Sequence, residues 1–370
     1  MPSILFSPLE LGPQVLQNRI VVSPMCQYSA DEGAASDWHT MHIGQFAVAN
    51  PGLIMLEGTA VEPNGRISAG DLCLYEDRHE EALAKLVQFV KENSDTKVGI
   101  QLFHAGRKGS QQLPRLADKT LPVSEGGWDV YAPSAVPFDE GYPMPRAADA
   151  TDLERIEIAF CTAATRAARA GIDVVELHYA HGYYLHSFLS AVSNRRSDEY
   201  GGDLKDRMRH PLKIFDAVKA ILSKNCSLGA RISGTDHGLD DHAWTLEDAL
   251  QFAQALHQCG CDFLDVSSGF LSPNQSITNY GPGFQAQLAA EIREKVSLPT
   301  FTVGVVTGAH QAENLLANGS ADAIALGRGM LYDPHWPWKA AQELGETPKF
   351  PPQYERAFTH GFPEMFDVSS

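Results

Sequence analysis

The fifteen residues from Glu176 to Ser190, ELHYAHGYYLHSFLS, carry three histidines and three tyrosines directly behind an apolar run, GIDVV. Imidazoles are the side chains best suited to giving and taking protons near neutral pH, and a positioned phenol can give one. On a straight strand His178 and His181 would point to opposite faces. Both can face one ligand if the strand ends near His178 and the chain turns at Gly182, and Tyr183 then follows on the loop. Two imidazoles and a phenol beside an apolar wall make an anion-accepting, proton-donating set. His-x-x-His could also hold zinc, with Glu176 or Asp236 as a third ligand. Against that reading, H-E-x-x-H is absent and His181 is followed by Gly-Tyr, not by acids. A metal-dependent lyase or hydrolase built on His178 and His181 stands as the second reading.

Such a set needs a scaffold. Short apolar runs recur at Ile20–Met25, Leu53–Val61, Val98–Gly106, Asp173–His178, Leu228–Gly234, Asp262–Gly269, Thr300–Val306 and Ala323–Met330. Amphipathic stretches lie between them, among them Glu80–Glu92, Leu153–Ala170, Leu246–Cys259 and Ala309–Asn318. Strands alternating with helices imply a parallel sheet. Eight such units in this length predict a closed (β/α)8 TIM barrel, with a doubly wound open sheet as competitor. Thr151-Asp-Leu-Glu154 has the form of a capping box, and Gly171 suits the helix end. PLELGPQVLQNR, near the start, predicts a hairpin across the barrel floor. The segment 107–150 is too long for an ordinary connection. It reads as an excursion capping the barrel mouth, with VYAPSAVPF able to form a small hairpin.

In a barrel, chemistry sits at the C-terminal ends of the strands. Sorted by that rule, strand one ends in Pro24-Met25-Cys26-Gln-Tyr28 and strand two in Glu57-Gly-Thr59-Ala60. Strand three offers Gln101, His104 and Arg107, strand four His178 and His181, and strand five Arg231. Taken singly, a His or Gln is more often a satisfied core residue. Together they point to one rim. VGVVTGAH after strand seven and ALGRGM after strand eight supply Gly304, Gly327 and Arg328, a fit for one phosphate. The bland alternative is glycines for tight turns only. GPGFQA mimics a dinucleotide fingerprint, but it contains Pro282 and follows no strand.

Formal net charge is −17, and no basic stripe offers a nucleic-acid surface. No apolar run is long enough to cross a membrane, and the first residues lack the pattern of a signal peptide. The six cysteines form no C-x-x-C pair, so disulfides, zinc and iron–sulfur clusters are poorly supported. Free thiols fit a cytoplasmic protein. The chain reads as one domain, 1–370, with 346–370 as a C-terminal extension.

The pieces NRIVVSPMCQYSA, GIQLFHAGRK, ELHYAHGYYLHSFLSAVSNRRSDEYGG, ARIS, DVSSG, TVGVV and ALGRGML come in a known order. From about Phe6 to Phe358 the chain resembles the old yellow enzyme family of FMN-dependent ene-reductases, specifically its thermophilic-like bacterial subgroup of NADPH dehydrogenase and xenobiotic reductase type. The resemblance implies non-covalent FMN, reduced by NADPH. Hydride then passes to the β-carbon of an α,β-unsaturated carbonyl or nitroalkene. It implies that Pro24, Met25, Cys26 and Ala60 border the flavin and that Cys26 tunes it. Gln101 and Arg231 would meet its pyrimidine edge, and Gly304, Gly327 and Arg328 its phosphate. His178 and His181 would donate to the substrate carbonyl, Tyr183 would protonate the α-carbon, and Tyr28 would line the cavity. Arg356 would reach into a neighbouring protomer's pocket, in a homodimer or homotetramer.

The chain departs from the family pattern in GGDLKDR, where a surface turn is expected to change, and at Phe270, where a larger side chain could reshape the pocket. A 2,4-dienoyl-CoA reductase type is disfavoured, because it would need a C-terminal cysteine cluster. A non-catalytic flavin protein remains a minor alternative.

Overall fold

A computed structural model describes residues 2–357 apart from Leu239 and Thr278. Eight parallel strands close into a barrel: Ile20–Val22, Leu53–Ala60, Lys97–Phe103, Val174–Tyr179, Ser227–Ser233, Leu264–Ser267, Thr300–Thr302 and Ala323–Leu326. Each pairs with its sequence neighbour, and the eighth returns to the first through Ile324 opposite Ile20 and Leu326 opposite Val22. All eight predicted runs are strands, and the closed ladder excludes the open sheet. The strands are shorter than the runs, because Pro24, Met25 and Gly304 have already left the ladder for the loops. Helices Asp37–Ala49, Asp77–Asn93, Ala150–Arg169, Leu204–Ile221, Leu246–Gln258, Ala286–Val296, Ala309–Ala317 and Trp336–Glu343 form the outer ring.

The barrel floor is closed as expected. Leu9–Leu11 and Gln14–Leu16 form an antiparallel hairpin, turned by Gly12 at φ 54°. Its Leu9, Leu11 and Leu16 pack on Val21, Leu53, Val174, Phe263 and Phe301 inside the barrel. Burying such side chains stabilises by about 1.5–3 kcal/mol each, so the floor needs no polar groups. That leaves the other end for chemistry.

Two local readings are corrected. The helix predicted to start with Thr151 and Glu154 is capped two residues earlier. Asp149 is its N-cap and accepts from Asp152 N at 3.0 Å, while the Asp152 side chain reaches back to Asp149 N at 3.2 Å. Asp-x-x-Asp satisfied the same two donors, and Gly171 ends the helix at φ 88°. VYAPSAVPF is not a hairpin. Tyr131–Ala132 instead pairs in parallel with Arg146–Ala147, further along the excursion. The GGDLKDR departure is accounted for by Asp203, which N-caps the helix Leu204–Ile221 by accepting from Asp206 N at 3.0 Å.

Strand two carries a bulge between Leu56 and Gly58. Bulges re-aim side chains. Here Glu57 is aimed at His39, at 3.1 Å, and accepts from Gln27 N at 2.9 Å. It fixes the backbone beside Cys26 rather than facing the mouth.

Candidate active site at the barrel mouth

The chain from Val174 runs as a strand to Tyr179 and then turns sharply, with His181 at φ 59° and Gly182 at φ 74°. That turn brings the rings together. His178 lies 5.1 Å from His181 and 5.1 Å from Tyr183, centroid to centroid, and Tyr183 meets Phe103 edge-on at 5.3 Å. A Cβ on Gly182 would lie 2.5 Å from the Phe270 carbonyl oxygen. The position therefore excludes any larger residue on both conformation and space.

Strain concentrates on this rim. Non-glycine residues at positive φ are uncommon. Tyr28, Ser110, His181, His237, Phe270 and Val305, with φ between 51° and 66°, follow strands one, three, four, five, six and seven. Val305 is β-branched, where the cost is greatest. Such backbone persists where surrounding contacts over-determine it.

The expected site residues fall into three groups. Cys26, Tyr28, Ala60 and Tyr183 share one apolar cluster with Phe103 and Cys73. Gln101 and Arg231 lie inside the barrel below the histidines. Gln101 Nε2 donates to Glu176 Oε1 at 2.7 Å, and Arg231 faces Asp265 Oδ2 at 3.3 Å and Ser23 Oγ at 3.4 Å. Gly304 (φ 126°), Gly327 and the exposed Arg328 stand at the ends of strands seven and eight, and a Cβ on Gly327 would touch Met25 Sδ at 3.5 Å. Arg328 makes no ion pair among the described residues.

Two rim residues from the sequence reading lie apart from this set. His104 Nδ1 accepts from Gly106 N, and its Nε2 meets Glu62 Oε1, both at 2.9 Å. Arg107 is buried and donates to the carbonyls of Val136, Pro137 and Leu271. It ties the excursion to the mouth. Arg356 is exposed on the last helical turn, Pro352–Ala357, and makes no contact with the mouth among the described residues. That turn is docked, since Tyr354 lies 5.8 Å from the Trp338 ring. The residues from Phe358 onward lie outside the described part.

Electrostatics suit the chemistry. Burial first, then the Arg231 charge, hold His178 and His181 well below the usual imidazole range, so both are neutral at physiological pH. Burial, with Cys26 and Tyr28 nearby, pushes the Tyr183 phenol up, so it keeps its proton. Burial and Glu57 likewise keep Cys26 a thiol. Burial, then repulsion from Asp265, raises Glu176 to about 8 against the pull of Arg231 and Gln101.

Sequence reasoning missed Lys108. Its ammonium donates to the carbonyls of His181 at 2.9 Å and Phe270 at 3.1 Å, and lies 5.1 Å from the Tyr183 ring. Burial, then Arg107, lowers it to about 7. The charge at the mouth is therefore present below pH 7 and is lost as pH rises through that value. Folding stability rises with pH between about 7 and about 10.4, where the unfolded chain holds the extra proton. Binding of benzoate, a permanent anion over this range, should weaken roughly three- to tenfold between pH 6 and 8, about 1 kcal/mol. Lys108→Met should flatten that dependence. Equal slopes in both proteins, by fluorescence titration, would remove Lys108 from the site.

The mouth thus joins two neutral imidazoles, a protonated phenol, an inner guanidinium and a glycine-lined rim, a set able to bind an electron-rich group and to move a proton. The chain belongs to the NADH:flavin oxidoreductase / NADH oxidase family, whose profile it matches over residues 4–347. It is 42% identical over 360 residues to an NADPH dehydrogenase of Geobacillus thermodenitrificans, covering 97% of this chain and 99% of that one. Among solved structures it is similar to morphinone reductase, with TM-score 0.76, 26% identity and coverage of 94% and 91% of the two chains. It is also similar to the old yellow enzyme homologue of Zymomonas mobilis, with TM-score 0.77, 25% identity and coverage of 92% and 93%. Two larger solved chains of the same fold are spanned over only about half their length, 52% and 48%. The expected membership of the old yellow enzymes is borne out, and with it the TIM barrel, the enzyme class, and FMN with a nicotinamide as cofactors.

The residues present fit FMN. A guanidinium has five N–H donors, and among the described residues Arg231 meets Asp265 and Ser23, with its Nε left without a well-aligned partner. Donors remain for an electron-rich heterocycle edge. At the rim, Gly304 adopts a φ open to glycine, and Arg328 offers an unpaired cation for one phosphate.

Proposed function

We propose that this oxidoreductase is an ene-reductase, reducing the C=C bond of α,β-unsaturated carbonyls or nitroalkenes with NADPH as electron source. FMN, when bound, supplies hydride chemistry between the nicotinamide and the alkene β-carbon. Pro24, Met25, Cys26, Ala60, Gln101 and Arg231 would hold its ring, and Gly304, Gly327 and Arg328 its phosphate, without a covalent link. The carrying observation is the set of three rings, His178, His181 and Tyr183, with both imidazoles at 5.1 Å from their neighbours in the set.

The chain's part follows from that geometry. His178 and His181 donate to the carbonyl oxygen as it gathers negative charge. One donor of this kind is worth about 10²–10³ in rate. Tyr183 gives its phenolic proton to the α-carbon, so hydride and proton together saturate the bond. Tyr28 lines the substrate cavity, and Lys108 offsets the phenolate charge that Tyr183 acquires. Cys26, held as a thiol, borders the ring without adding charge. Acid precipitation should release FMN, and 2-cyclohexenone should stimulate NADPH oxidation. Released FAD, or an inert enone, would overturn the reading.

The metal-dependent alternative gains no support, since no cluster of three His, Cys, Asp or Glu among the described residues could hold an ion. No described helix is long and apolar enough to cross a membrane. Arg356, on a docked and exposed turn, completes a partner's pocket in a homodimer or homotetramer. Arg356→Ala should keep its FMN but raise KM for enones. Wild-type kinetics would reduce the extension to a surface feature.

A further inference from the structure

Glu176, Gln101, Arg231 and Asp265 form a polar layer inside the barrel, between the apolar floor and the mouth. Residues two apart share one face of a strand. On strand four Val174 packs into the floor with Phe263 and Phe301, His178 reaches the mouth, and Glu176 lies between them. Strand three brings Gln101 opposite Glu176, strand five brings Gly229 opposite it, and Asp265 on strand six stands opposite Arg231. This register sorts the charges. Asp265 Oδ2 meets Arg231 Nε at 3.3 Å, while Glu176 enters no ion pair among the described residues. Glu176 Oε1 accepts from the neutral amide of Gln101 at 2.7 Å, and its Oε2 is buried with no hydrogen-bond partner among the described residues. Both acids are buried, Glu176 at 0% and Asp265 at 2% exposure.

Two carboxylates and one guanidinium would leave this layer one negative charge in excess. A buried carboxylate without a cation takes a proton rather than bear that cost. Asp265 has the cation; Glu176 has an amide and an orphaned oxygen. We propose that Glu176 is a proton-holding residue beneath the flavin, a carboxylic acid in the resting protein, whose proton keeps the set of Glu176, Asp265 and Arg231 neutral. Burial, then Asp265, favours the proton, while Arg231 and Gln101 oppose it, and the balance raises Glu176 to about 8. Burial pushes Asp265 the same way, but Arg231 pulls it back. His178, the next residue above on the same face, is neutral. With Glu176 protonated, the ring takes its electrons over an uncharged layer; an ionised Glu176 would oppose them. Above about pH 8 the oxidised protein gives this proton up, and the negative charge of reduction draws one back from solvent. Two electrons then bring one proton more than they do at lower pH. The proton itself stands without any placement of the ring, while its coupling to reduction rests on the ring meeting Arg231, as proposed above.

The test is infrared difference spectroscopy of the FMN-loaded protein with its glutamates labelled by carbon-13 at the side-chain carboxyl. Wild type should show the carbonyl stretch of an un-ionised carboxylic acid that shifts with the label and disappears as pH rises through about 8. The label separates Glu176 from Asp71, whose carboxyl is raised by burial to about 7. Glu176→Gln should lack the band. Asp265→Asn removes the charge that opposes ionisation, so the band should disappear at lower pH; this variant serves if Glu176→Gln does not fold. Potentiometric titration reads the coupling. The reduction potential of wild type should fall more steeply above about pH 8, by a further tenfold in the equilibrium per pH unit, about 30 mV for a two-electron couple, and Glu176→Gln should lack the added slope. No glutamate-borne acid band in neutral solution, or a band that neither variant alters, overturns the proposal. The band with equal slopes in both proteins would uphold the proton and instead remove the ring from above Arg231.

Discussion

Tyr183→Phe is expected to slow reduction of 2-cyclohexenone by about 10²- to 10⁴-fold, the range for a positioned general acid, and to leave the NADPH half-reaction at the wild-type rate. The phenol has the features of an acid and not of a base. It packs half-buried against Phe103, its pKa is pushed up, and among the described residues Lys108 is the cation that lies over its ring. In the proposed reaction only the alkene half puts a proton on carbon, so only that half should feel the loss. Stopped-flow measurement of the two halves separates the outcomes. Equal slowing of both would make Tyr183 a general wall of the pocket. The ring should still pack on Phe103 in the phenylalanine variant, so a folding defect is not expected to cloud the result.

The second large effect belongs to the histidine pair. His178→Ala and His181→Ala should each weaken binding of a phenolate ligand by about 1.5–3 kcal/mol and lower the alkene rate by about 10²–10³. The double variant should fall short of the product of the two, because the rings touch one shared ligand atom and such effects are not additive. Both imidazoles are held neutral by burial and by Arg231. The protein side should therefore contribute no acid limb from these groups between pH 6 and 8. Titration by absorbance with 4-hydroxybenzaldehyde is the measurement, and unchanged affinity in both single variants contradicts the assignment.

Much of this was legible in the sequence, for identifiable reasons. Strands buried on both faces leave continuous apolar runs, so all eight could be found. A glycine at 182 just past two histidines announced the turn that unites them. The roles of single residues came from the resemblance more than from patterning, because a barrel rim gathers residues from eight loops with no common spacing. The contacts of His181 with Ser267 and of Ser267 with Gln285 show why. His181 and Ser267 are 86 residues apart, and Gln285 is 18 further on, so no local signal links them. Lys108 was missed because a lysine beside an arginine reads as surface. It is drawn half-buried into the mouth by the carbonyls of His181 and Phe270, neither of which is near it in sequence. The capping box was misplaced because Asp149-x-x-Asp152 and Thr151-x-x-Glu154 both fit the motif, and only the start of the excursion's return decides between them.

The central claim is that hydride reaches the β-carbon while a protein phenol, in exchange with solvent, supplies the proton to the α-carbon. Reduction of 2-cyclohexenone with unlabelled NADPH in deuterium oxide, followed by NMR of the product, tests it most directly. The account predicts cyclohexanone with deuterium newly fixed at the α-carbon and protium at the β-carbon, and loss of that product in Tyr183→Phe. Deuterium delivered to the β-carbon, or an alcohol with its C=C bond intact, would contradict it.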